Sequence, residues 1–331
     1  MSTRRLLLKV AYLKSLVAGS VLIWPNSNTN AQDLPPIRWI VPFPPGGGSD
    51  LATRIVAKRA SELLSRLIVV ENKPGAATML AAAEVARLKP ESPNNITLLT
   101  AGMSTLTLNP SLYSKITYQA DKDFQHISTL VRLPMVLVVH PQLPAITLSE
   151  LRTWLKEQGN RASYASLGAG TPHHVVTALW LEQSGLVTTH VPYKGTPQAL
   201  QDVAGNSVSM MFGDVAAAVP LIKAGKLKAI AVPSLKRSAV LPEVPTFSEQ
   251  GSVFEGAAWQ GVVTSKGIDS ATTERISSAI SRALLDPSVI SQLTHHGMEA
   301  LGSKPDEFAK FANLERARWS RIIATNNISI E

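Results

Sequence analysis

The chain has 331 residues, 45% hydrophobic and 17% charged, a globular composition with room for two α/β domains. It contains no cysteine, which excludes disulfides, thiolate catalysis and cysteine-based metal sites. Its net charge of +8 is inflated by Arg4, Arg5, Lys9 and Lys14, and the remaining basic residues form no stripe with interleaved aromatics, which argues against a nucleic-acid partner.

Residues 1–31 read as an export signal. A basic start leads into an apolar stretch, residues 16–24, and then a polar patch in which Thr29 and Ala31 suit cleavage before Gln32. The apolar stretch is too short for a spanning helix, which needs about 20 residues. Paired arginines at Arg4 and Arg5 also fit a twin-arginine signal, so the export route stays open.

The mature chain opens with an apolar run at residues 37–41, the pattern of a buried strand. Pro42-Phe43-Pro44-Pro45-Gly46-Gly47-Gly48-Ser49-Asp50 follows, and helical apolar spacing begins at Leu51. Glycines allow positive φ and a close approach to a ligand, and Ser49 or Asp50 is expected to cap the helix. A strand, a glycine turn and a helix N-terminus together make a main-chain anion site. The dinucleotide fingerprint is absent, because Ser49-Asp50-Leu51 stands where a third spaced glycine is needed, and no Gly-Lys-Ser/Thr follows.

Residues 67–71 predict a second strand ending in the turn Asn72-Lys73-Pro74-Gly75, residues 79–87 a helix, and residues 97–100 a third strand leading to Ser104 and Thr105. Strands alternating with helices predict a parallel sheet whose ligands sit at the carboxyl ends of the strands. That rule puts the glycine loop, Asn72, Ser104 and Thr105 along one edge.

A strand is expected at residues 135–140, then a helix opened by the capping box Thr147-Leu148-Ser149-Glu150. Ser163-Tyr164-Ala165-Ser166 runs into Leu167-Gly168-Ala169-Gly170-Thr171-Pro172-His173-His174, a second glycine turn with a Thr cap and a first-turn proline. Two such turns suggest two domains, each offering a helix N-terminus to one cleft. Further strands are expected at residues 209–214, 227–232 and 258–263, with helices at 197–205, 271–285, 288–296 and 305–326. The proline-rich 241–246 reads as a connection between domains.

Several side chains admit two readings. Asp50 is a ligand for an amino group or an i,i+4 partner of Arg54 at a helix start. Thr171 is a cap or a hydroxyl donor, Lys194 a carboxylate partner or a solvated turn lysine, and Asp214 a candidate to face the cleft. His173 and His174 have no metal-like spacing. Ser49, His174 and Asp214 can be drawn as a hydrolytic triad, but Gly47-Gly48-Ser49-Asp50-Leu51 lacks the last glycine of a nucleophile elbow.

The ordered pieces also carry a resemblance. Ile40-Val41-Pro42-Phe43-Pro44-Pro45-Gly46-Gly47-Gly48-Ser49-Asp50, Val70-Glu71-Asn72-Lys73-Pro74-Gly75-Ala76, Asn109-Pro110-Ser111-Leu112-Tyr113, and Gly168-x-Gly170-Thr171-x-x-His174 are among them. His190-Val191-Pro192-Tyr193-Lys194-Gly195, Leu241-Pro242-Glu243-Val244-Pro245-Thr246 and Trp259-x-Gly261 continue the series. Together they resemble the Bug family, the extracytoplasmic receptors of tripartite tricarboxylate transporters.

The resemblance implies an α/β fold of the two-lobed periplasmic-binding-protein type (type II-like), each lobe a mixed or parallel sheet flanked by helices. Lobe I would comprise residues 32–131 plus 252–331, and lobe II residues 132–251, with the ligand in the interdomain cleft. It also implies a monomeric, non-enzymatic receptor without cofactor or metal. The receptor would hold a small organic carboxylate (dicarboxylate, tricarboxylate, aromatic acid or amino acid) and deliver it to membrane permease subunits, or present it to a sensor. The implied ligand loops are Pro44 to Asp50 and Gly168 to His174, with Pro45, Gly46, Gly47, Gly48, Ser49, Asp50, Gly168, Ala169, Gly170, Thr171 and His174 as the candidate contacts. The chain departs from the family pattern at Ala76-Ala77-Thr78, where a glycine-rich run is usual, and at Pro93-Asn94-Asn95-Ile96.

The leader generates one direct expectation. Intact-mass measurement of protein recovered from the periplasm should give an N-terminus near Gln32, and cytoplasmic protein retaining Met1 would count against export.

Overall fold

The structure is a computed structural model and describes residues 34–88 and 94–326, with 328 and 330. The leader, its cleavage position and Pro93 lie outside the described residues. In chain order the elements are β1 (Ile37–Val41), α1 (Gly48–Leu64), β2 (Ile68–Asn72), α2 (Met79–Arg87), β3 (Thr97–Gly102), α3 (Asn109–Leu112) and β4 (Phe124–Val139). Next come α4 (Leu148–Gln158), β5 (Ser163–Ser166), α5 (Pro172–Gln183), β6 (Thr189–Pro192), α6 (Thr196–Ala204), β7 (Met210–Asp214), α7 (Val215–Lys223) and β8 (Lys228–Ala231). The chain closes with β9 (Ala257–Ser265), α8 (Ser270–Leu284), α9 (Pro287–His295), β10 (Glu299–Ala300) and α10 (Pro305–Thr325).

The strands run in the order β2-β1-β3-β9-β4-β7-β5-β6, with β8 and β10 also pairing with β4. The expected parallel unit is present: β1 pairs parallel with both β2 and β3. A second parallel unit, β7-β5-β6, stands at the other end. β3 pairs antiparallel with β9, and β9 with β4, which makes the whole sheet mixed. Trp39, Ile40, Leu98 and Leu99 are fully buried in the first half. A buried hydroxyl chain ties α1 to its strands, since Trp39 Nε1 donates to Thr100 Oγ1 at 2.9 Å and Thr100 Oγ1 lies 2.8 Å from Thr53 Oγ1.

β4 is where the expectation and the structure part. Instead of a short strand at 135–140, it runs 16 residues. Its first part pairs with β9 as far as Pro134↔Ala257, and from Met135↔Asp214 onward it pairs with β7. Pro134 has no N–H to donate, so the change of partners falls at a residue that interrupts a ladder anyway. Register shifts at His126/Ser128 and Thr129/Val131 break the apolar alternation that would have revealed the first part of the strand.

The 241–246 segment is irregular as expected, but it does not span the halves. Leu241 and Val244 are buried with Val136, Val138 and Met211, and Thr246 bridges Val232. The halves are joined by β4 and by the stretch entering β9. The capping box of α4 forms as read: Glu150 N–H donates to Thr147 Oγ1 at 3.2 Å, and Thr147 N–H donates to Glu150 Oε2 at 3.2 Å. Among the described residues no helix is long and apolar enough to cross a membrane.

Gly261 on β9 shows how tightly this core is closed. A Cβ there would lie 2.1 Å from Cζ of the fully buried Phe308. Gly261→Ala should therefore cost about 1–3 kcal/mol, the usual scale of overpacking. Urea unfolding checks this, with Phe308→Leu in the same chain expected to recover part of the loss. An unchanged midpoint for Gly261→Ala would show that the ring can move aside.

Candidate functional site

The first glycine loop is shaped by a network rather than by its glycines alone. Of its three glycines only Gly46 has positive φ, at 84°; Gly47 is extended at φ −83°. Gly47 is the N-cap of α1 and no side chain caps the helix, so neither Ser49 nor Asp50 has the capping role expected of it. Asp50 Oδ2 instead accepts Gly46 N–H at 3.0 Å, while Oδ1 accepts from Arg54 Nε at 2.9 Å and Asn72 Nδ2 at 2.8 Å. Asn72 also donates to Phe43 O and accepts from Arg54. Asp50 and Asn72 thus stitch the loop to α1 and to the end of β2, and their polar atoms are used internally.

The second loop does use its glycines. Gly168 has φ 110° and Gly170 has φ 75°, both in the left-handed region that favours glycine. A Cβ at Gly170 would also come within 2.9 Å of the Tyr113 ring, whose Oη donates to Ala169 O at 2.8 Å. Thr171 occupies the N-cap position of α5 with no side-chain cap, because its hydroxyl donates to Gly168 O at 2.7 Å instead. Gly170 N–H donates to His174 Nδ1 at 3.3 Å. His174 lies 4.4 Å from the His190 ring, which stacks on Tyr164 at 4.8 Å, while Ser166 Oγ and His190 Nε2 are 2.6 Å apart. Burial, followed by the neighbouring His190, pushes His174 down to about 4. It is a neutral support for the loop at physiological pH.

The two loops converge on Asp214 at the end of β7. Its Oδ1 lies 3.0 Å from His173 Nε2, its Oδ2 accepts from Thr196 Oγ1 at 2.9 Å, and it accepts Gly48 N–H at the start of α1. Burial pushes this carboxyl up. His173, the Thr196 hydroxyl and the Gly48 N–H outweigh that and hold it below the usual carboxylate range. The carboxylate sits at the positive end of the α1 dipole, which favours the charged form further.

A cavity opens beside this cluster. Phe43, Pro44, Gly47, Gly48 and Ser49 form one side, and Leu167, Pro172 and His173 another. Gly195, Thr196, Asp214, Leu133, Ala258 and Gln260 complete the lining. Of the residues picked out from sequence, Gly47, Gly48, Ser49 and Asp214 line it. Pro45, Gly46, Asp50, Asn72, Gly168, Ala169, Gly170, Thr171 and His174 shape the loops behind it. Lys194 is exposed and does not line this cavity. Ser104 and Thr105 are buried in a π-helical turn, Thr105 Oγ1 lying 2.8 Å from Thr78 Oγ1.

Where the glycine-rich run is replaced, Ala76, Ala77 and Thr78 keep positive φ at 46°, 47° and 79°. Asn109 Nδ2 holds the path by donating to Ala77 O at 2.8 Å.

The drawn triad does not assemble. Asp214 pairs with His173, His174 is occupied by Gly170 N–H, and Ser49 Oγ accepts from Gln260 Nε2 at 2.9 Å, with no base beside it. Sequence reading did not single out Thr196, Leu133 or Gln260, and it chose His174 over His173 within the second loop. The available signal was Gln260 itself, a glutamine inside the apolar run Ala257-Ala258-Trp259-Gln260-Gly261-Val262-Val263.

Known proteins share this fold. Residues 52–328 match the model of the tripartite tricarboxylate transporter family receptors. The solved periplasmic binding protein BugD is 28% identical, over 89% of this chain and 98% of its own, with a TM-score of 0.83. An R. palustris protein solved with adipate is 27% identical, over 89% and 98%, with a TM-score of 0.84. MatC from Rhodopseudomonas palustris, solved with bound malate, is 30% identical, over 87% and 98%, with a TM-score of 0.80.

Asp214→Asn keeps the shape of the cluster and discards its charge. It should destabilise the protein by about 3 kcal/mol near neutral pH, the scale of breaking a buried pair. Because the folded-state pKa lies below the unfolded value of about 3.9, this contribution is complete above that pH and fades as acidification passes through the lower folded-state value. Urea unfolding of both proteins at several pH values should show a gap that narrows only in strong acid. A gap that is absent at neutral pH, or that widens in acid, contradicts the assignment.

Proposed function

The chain belongs to the tripartite tricarboxylate transporter receptor family, and from that premise we propose that it captures a small dicarboxylate in the cavity beside Asp214 and hands it to the membrane subunits of such a transporter. It is a solute-binding receptor with the two-lobed α/β fold of periplasmic binding proteins, and it is not an enzyme. The family works in the periplasm, which agrees with a leader at residues 1–31 removed near Gln32.

The lobes are residues 32–131 plus 252–331, and 132–251. The change of pairing partners between Pro134 and Met135, and the return of the chain through β9, support that division. The receptor acts as a monomer. Adipate and malate, bound by two relatives, support a dicarboxylate as the class of ligand.

The observation that carries the binding mode is the make-up of the wall. No lysine or arginine lines the cavity, while the start of α1 and the second glycine loop both border it. Asp214 takes the Gly48 N–H, and the next N–H groups at the start of α1, which have no partners within the helix, favour an anion. Main-chain donors, directly or through water, therefore supply the carboxylate contacts.

A thermal-shift screen of mono-, di- and tricarboxylates, aromatic acids and amino acids should single out a dicarboxylate. With that acid, Gly170→Val should abolish binding, because the position needs positive φ and a side chain would strike Tyr113. Lys194→Ala should change affinity less than about tenfold, or ~1.4 kcal/mol. If Lys194→Ala eliminates binding while Gly170→Val, shown folded by circular dichroism, still binds, recognition is by ion pairing and the main-chain reading fails.

A further inference from the structure

One polar side chain in the cavity wall has unspent hydrogen-bonding capacity. Gln260 sits on β9 and is 5% exposed, with Nε2 committed to Ser49 Oγ at 2.9 Å. Its Oε1 is buried and has no hydrogen-bond partner. The oxygen rests against Gly102, where a Cβ would come within 2.5 Å of it, so only glycine leaves room for the amide in this pose.

Two donors in the same wall, the Thr196 hydroxyl and the Gly48 N–H, are spent on Asp214. The wall thus carries an unpaired buried acceptor, Gln260 Oε1, in the same cavity as the Asp214 carboxylate. An unpaired buried acceptor is costly, and a ligand that supplies the missing donor removes that cost.

We propose that Gln260 is a specificity-determining residue. Its carbonyl accepts a hydrogen bond from a hydroxyl or ammonium carried by the bound acid, so the receptor selects a hydroxy or amino acid over the same acid without that group. The inference rests on the carboxylate reading above. A site built to pair a donor discriminates strongly against the analogue that lacks it, since the protein acceptor is then left unsatisfied.

Calorimetry on matched acids tests it: malate and aspartate against succinate, lactate and alanine against propionate, mandelate and phenylglycine against phenylacetate. In whichever set binds, the wild type should hold a donor-bearing member at least about tenfold tighter than its plain counterpart, and the two donor-bearing members of the set tell hydroxyl from ammonium. Gln260→Met keeps the length and removes the amide. It should erase the gap, weakening the donor-bearing acid much more than the plain one. Gln260→Glu should preserve the gap and widen it for an ammonium.

A wild type that binds both members equally, or prefers the plain acid, overturns the proposal. So does a Gln260→Met variant that keeps the gap or weakens every acid alike, the latter marking a structural role through Ser49. If Gln260→Met does not fold, the wild-type comparison and Gln260→Glu decide the matter. Failure of the folded wild type to bind any acid of any set would remove the carboxylate reading and this inference with it, whereas a plain acid bound without a gap removes this inference alone.

Discussion

A carboxylate taken out of water costs several kcal/mol unless nearby charges and donors replace its hydration. Asp214 is such a group, and much of the site's geometry follows from meeting its needs. Its partners come from three directions: His173 from the first turn of α5, Thr196 from the start of α6, and Gly48 N–H from the start of α1. Bringing those termini to one point draws the ends of the two parallel units together, and the cavity is the space left beside them. Thr196 and His173 therefore matter both as walls and as the means by which the charge is tolerated.

The two glycine turns look alike in sequence and work differently. In the first, the path is fixed from outside by the Asp50–Arg54–Asn72 network, and a single positive φ at Gly46 suffices. In the second, Gly168 and Gly170 bend the chain themselves, with Ser166, Thr171 and His174 each bonding a neighbouring main-chain group. The first turn resists change through its side chains and the second through its backbone. Tyr113 braces the second turn, reaching from beyond α3 to the carbonyl of Ala169.

Much of this was legible from the chain alone, because its signals are local. Strand and helix periods, the capping box at Thr147, the i,i+4 pair of Asp50 and Arg54 and the glycine turns all follow from neighbours within a few residues. What stayed hidden depends on partners far along the chain. The first part of β4 is polar at Gln125, Ser128, Thr129 and Arg132, and only pairing with β9 makes it a strand. Prolines at 242 and 245 suggested a free connection, yet Leu241 and Val244 find a core that local sequence cannot announce. The choice between His173 and His174 turned on which helix face meets Asp214, and Gln260 gains meaning only once Ser49 is beside it.

The stretch Ala76-Ala77-Thr78 holds a path that glycine would follow without strain. Left-handed backbone at residues with a side chain costs of order 1 kcal/mol or more each, and it survives only where surrounding contacts over-determine it. Here those contacts are Asn109 on Ala77 O and the Thr78–Thr105 hydroxyl pair. Alanine and threonine also leave the unfolded chain fewer conformations than glycine does. The segment is thus poorly suited to act as a swivel: native contacts hold it whole, and losing them releases the strain at once. It serves as a strut between β2 and α2, so that strand and helix move as one body.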